Sequence, residues 1–112
     1  MPTEPGILDC GPLCDAIDAL IVASDEPSAA GRETIERTLT DGYARALALE
    51  AEQRRLERAI GTVAAEIDDR NQERKVDELA KLSLELGRAS AQLAALRDRL
   101  VSLRRRLPAA VA

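Results

Sequence analysis

The sequence predicts an all-α protein: a long antiparallel coiled-coil helical hairpin with a short N-terminal helix packed at its open end. Three observations carry that expectation. Leucine recurs at 79, 82, 86, 93, 96, 100, 103 and 107, with Ala89 in the one gap, the three-and-four spacing of a coiled-coil seam. An earlier seam runs through Ile35, Leu39, Gly42, Ala46, Leu49, Gln53, Leu56, Ile60, Val63 and Ile67. Of the 112 residues 46% are hydrophobic, yet Tyr43 is the one aromatic residue, so the core must be aliphatic, which suits helix-on-helix packing.

The elements follow in order. Residues 1–10 begin MPTEPG, broken by Pro and Gly, and are expected to be a flexible N-terminus. Residues 11–24 form a short amphipathic helix: Leu13, Ile17, Leu20 and Ile21 share one stripe, and Pro12 suits the first turn. Pro27 and Gly31 bracket a loop at 25–31. The hairpin spans 32–107, with a tail at 108–112 after Pro108 ends the second seam. Gly42, in TDGY, reads as a soft spot in a continuous helix, and Gln53 as the other weak seam position.

The two seams are out of step, since continuing the first beyond Ile67 lands on Arg70, Arg74 and Asp77. One uninterrupted helix would be roughly 110 Å long and need a phase shift in its middle. A fold-back near 70–75 needs neither. Asn71 is the best turn former there, whereas the pairing register described next centres the turn near Arg74–Lys75.

Charges beside the seams choose the pairing. The second helix carries Arg97, Arg99, Arg104 and Arg106 on its flanks, so a parallel self-zipper sets Arg99 against Arg104 of the other copy. The first helix is flanked by Glu36, Glu50, Glu52, Glu57 and Glu66. An antiparallel hairpin brings Glu50 to Arg97 and Glu52 to Arg99. Residues 1–31 hold six acidic residues and no basic one, so the short helix is expected to turn its acids toward Arg104, Arg105 and Arg106. A thin unit of this kind completes its core by dimerising, and a homodimer is expected.

The chemistry available excludes much. There is no His, no Gly-rich phosphate loop and no nucleophile-elbow motif, so no enzyme activity and no cofactor are expected. Cys10 and Cys14 supply two of the four ligands a zinc site needs. They read first as small buried hydrophobes and second as a redox-switchable pair. Net charge is −4, and no Phe or Trp exists to stack on bases, so nucleic-acid binding is not expected despite the Arg-rich helix end. No apolar run is long enough for a membrane and the N-terminus has no basic leader, which places the expected location in the cytoplasm. The preference for Arg over Lys and the Ala content suit a GC-rich bacterial genome.

The expected function is a non-enzymatic protein–protein interaction module: an adaptor, assembly or regulatory protein whose partner the sequence does not name. The turn region supplies an alternative. With Asp68, Asp69 and Glu73 at its tip, the outline resembles the acidic-tipped coiled-coil hairpins that enter the secondary channel of bacterial RNA polymerase. That resemblance implies a transcription-associated regulator acting through the tip or the Arg-rich helix.

Overall fold

The computed structural model describes residues 10–23 and 29–107, and the described chain is helical without strands. Three helices follow one another: α1 (Gly11–Ala23), α2 (Ala29–Ala65) and α3 (Gln72–Arg104). The protein is therefore all-α. The expected flexible N-terminus, apart from Cys10, lies outside the described residues, as do most of the expected loop at 25–31 and the tail at 108–112. The backbone of α2 is already helical at Ala29, three residues before the expected start, because two alanines lead into it and alanine has the highest helix propensity.

Helices α2 and α3 lie against each other, with contacts in reverse order along the chain. Glu66 meets Lys75, Gln53 meets Ser90 and Glu50 meets Arg97. The molecule measures 65 × 36 × 15 Å, far short of an unbroken rod. Its radius of gyration of 18.9 Å nonetheless exceeds the about 13 Å of a compact chain of this length.

The seam positions are where the burial lies. Ile35, Leu39, Ala46, Leu49, Leu56 and Val63 of α2 are buried, as are Ala89, Leu93, Leu96, Leu100 and Leu103 of α3. Each sealed leucine contributes about 1.5–3 kcal/mol. No polar or charged side chain is buried among the described residues. Ile60, Ile67, Leu79, Leu82 and Leu86 are only half-buried, because near the turn two helices cover one stripe of each other and nothing more.

Both weak seam positions have structural work. At Gly42 α2 passes through unbroken, as expected, and Leu100 fills the space a side chain would need. A Cβ on Gly42 would lie 2.3 Å from Leu100 Cδ2. Gln53 donates from Nε2 to Ser90 Oγ at 2.9 Å, a satisfied polar pair that helps to set the register.

The chain reverses at 66–71, earlier than the expected 70–75, and residues 72–75 already belong to α3. Local polar bonding explains the shift. Asp68 Oδ1 accepts from the backbone N–H of Arg70 at 2.9 Å and of Asn71 at 3.0 Å. Asn71 accepts from the Asp68 N–H at 2.8 Å and donates to the Glu66 carbonyl at 3.0 Å. Such side-chain bonds mimic backbone turns, so neither Gly nor Pro is required. The turn chemistry and the Glu50–Arg97 pairing coexist because a long arginine reaches along its helix.

Helix α1 packs chiefly on α3, in the half remote from the turn, and runs in the same direction as α3. Cys14 and Ile17 are buried and Leu13, Leu20 and Ile21 half-buried against the core, so the amphipathic stripe faces inward. Polar contacts fasten it along its length. The Cys10 N–H donates to Gln92 Oε1 at 2.9 Å, Arg99 binds Asp18, and Arg106 donates to the Ile21 carbonyl at 3.3 Å. The last contact suits a helix C-terminus, whose end carbonyls lack intrahelical donors.

Candidate interaction surface

The arginines singled out in the sequence separate into inward ties and exposed charge. Arg97 pairs with Glu50 across the α2–α3 groove. Arg99 does not meet Glu52. It donates through Nε to both Asp18 oxygens, at 3.0 and 3.2 Å, and the hydrogen bond holds its guanidinium pKa above the ordinary value. Glu52 instead binds Arg55 one turn along its own helix, which holds the Glu52 carboxyl below its ordinary value. The cause is simple: α1 occupies that side of α3 and supplies the Asp18 carboxylate there. Arg104 and Arg105 are exposed at the end of α3 and Arg106 donates to the Ile21 carbonyl, while Asp18 of α1 meets Arg99.

At the turn, Asp68 spends one carboxylate oxygen on its own backbone. Asp69 and Glu73 are exposed and border an open concavity of about 950 Å³ together with Arg70, Arg74 and Asp77. Lys75 ties the turn by bonding Glu66 at 3.0 Å, and this bond raises the lysine pKa.

Cys10 and Cys14 are both buried in the α1 contact, and the Cys10 carbonyl accepts the Cys14 N–H at 2.7 Å as the first bond of α1. Among the described residues no cluster of three or more His, Cys, Asp or Glu is arranged to hold a metal ion. None of the described helices is long and apolar enough to cross a membrane.

The remaining feature is a groove. Two packed helices leave a furrow on each side, and α1 lies over one of them, with Leu13 beside Ala44 and Ala48 of α2. Among the described residues nothing covers the opposite furrow. Its floor is Ala46 and Leu100, its walls are Tyr43, Leu47 and Val101, and Glu50 and Arg97 stand at its side, enclosing about 420 Å³. Tyr43 is 42% exposed, Leu47 65% and Val101 50%, large values for apolar side chains beside a sealed core. Leu47 and Val101 lie off the two seams. Their heptad phase relative to Glu50 and Arg97 was the signal that they share one face.

No family model matches the sequence, and comparisons with curated proteins and with solved structures gave no match.

Proposed function

We propose that α2 and α3 form an antiparallel coiled-coil hairpin and that the protein is a non-enzymatic interaction module, an assembly or adaptor protein that takes the helices of another chain in its uncovered furrow. The observation carrying this reading is the apolar wall of Tyr43, Leu47 and Val101, left open directly opposite the furrow that α1 closes. Exposed apolar faces rimmed by charge mark association surfaces.

A photoreactive residue at position 47 of the full chain, expressed in its source cells, tests the reading. The expected product is a covalent adduct with another polypeptide, identified by mass spectrometry and weakened by Val101→Glu. A chain that yields no adduct, and that remains a monomer when purified, sinks it. The transcription-regulator reading rests on the exposed Asp69 and Glu73, since Asp68 is committed to the turn and Arg97, Arg99 and Arg106 to contacts within the chain. It requires Asp69→Lys/Glu73→Lys to abolish an effect on transcription in vitro.

A further inference from the structure

Tyr43 and Glu50 of α2 and Arg97 of α3 line the open furrow, and heptad spacing extends these two rows along their helices. On α2 the positions seven residues apart are Glu36, Tyr43, Glu50 and Glu57. On α3 they are Ser83, Ser90, Arg97 and Arg104. One wall is acidic and bulky, the other basic, with small residues at Ser90 and Ala94 beside the arginines. We infer that the occupant of the furrow is a second copy of this chain, turned about a two-fold axis parallel to the helices so that α2 of each copy lies on α3 of the other.

That arrangement uses every feature of the face. Glu36 of one copy faces Arg104 of its mate, and Glu50 and Arg97 of both copies join a four-charge cluster. Leu47 enters the shallow region at Ala94 of the mate, while Tyr43 and Val101 of the two copies close around the axis. Each helix then has an antiparallel neighbour on two sides, the up-and-down layout of a four-helix bundle. Helix α1 lies on the far side of each pair and does not obstruct it. The other two-fold, with its axis perpendicular to the helices, stacks α2 on α2 and α3 on α3. It sets carboxylate against carboxylate and arginine against arginine, which the charge pattern opposes.

The inference rests on the interaction-module reading and names its partner. It is tested on the purified full chain by light scattering and by photocrosslinking from position 47 in a mixture of isotopically light and heavy copies. The expected mass is twice 12.1 kDa. Leu47→Glu/Val101→Glu should return the mass to that of one chain while retaining helical content and a cooperative melt, since both sites are at least half exposed. Crosslinks between light and heavy copies should fall on residues 94–101. A monomer at all accessible concentrations, a dimer unmoved by the double substitution, or crosslinks that fall on α2 of the other copy overturn the inference. Should the double variant fail to fold, the crosslink map on the parent sequence decides. A chain that is monomeric alone but crosslinks a different protein in cells defeats this inference and leaves the interaction-module reading standing.

Discussion

Replacing Gly42 by alanine separates helix propensity from packing. Gly42 and Gly61 lie within α2 and Gly87 within α3. At Gly61 and Gly87 an added Cβ meets nothing within 4 Å, so alanine there should stabilise by about 0.8–1 kcal/mol, the propensity difference alone. At Gly42 the same methyl would lie 2.3 Å from Leu100 Cδ2 and 3.3 Å from Cγ, and Leu100 is 2% exposed. The leucine must leave its position in a sealed core, at about 1–3 kcal/mol. Propensity offsets about 1 kcal/mol of that, so Gly42→Ala should be between neutral and about 2 kcal/mol less stable. Urea denaturation followed by far-UV circular dichroism, at one fixed protein concentration, measures the three variants side by side. Leu100→Ala supplies the decisive arm. It costs about 2–5 kcal/mol by itself, but in its presence Gly42→Ala should turn from neutral or destabilising to stabilising. If Gly42→Ala matches Gly61→Ala in the parent sequence, Leu100 does not sit over Gly42 and the register of α2 against α3 is wrong.

Further outcomes follow from the same contacts. Asn71→Ala removes two hydrogen bonds from the turn and should cost about 1–2 kcal/mol in the same denaturation assay; Asp68→Ala should cost about as much. Gln92→Leu leaves the Cys10 N–H without its acceptor and should increase amide exchange across α1 while the α2–α3 seam keeps its protection. The Lys75 bond to Glu66 raises the lysine pKa in the folded state, so its contribution is full below the ordinary value of 10.5 and is lost as pH climbs through the higher folded value. Thermal melts of Lys75→Met across the alkaline range should lack that part of the decline, and a profile identical to the parent's would show that the bond is not made in solution.

Particular residues show how far the linear text reached. Ile35, Leu49, Leu93 and Leu103 are buried where three-and-four spacing placed them, because a helix's periodicity sorts its faces before any partner is chosen. Glu50 with Arg97 was legible from flank charge alone. Arg99 was not: flank charge pointed to Glu52, and the pairing with Asp18 depended on which side of α3 the first helix took. Gly42 was misleading for a related reason. A glycine in a helix weakens it when judged locally, and only the neighbour across the seam reveals that the missing side chain is a receptacle. The turn was displaced because Asp68 and Asn71 act through mutual side-chain bonds, which no single-residue preference encodes.

Composition and spacing by themselves determined an all-helical chain with an aliphatic interior, since repeat periods and missing aromatics are properties of the string. Tertiary structure alone decided which furrow α1 closes and which stays open. That choice follows from where Gln92, Arg99 and Arg106 can all reach α1 together, a condition in three dimensions. The exposed wall of Tyr43, Leu47 and Val101, and with it the proposed function, is what remains once that side is taken.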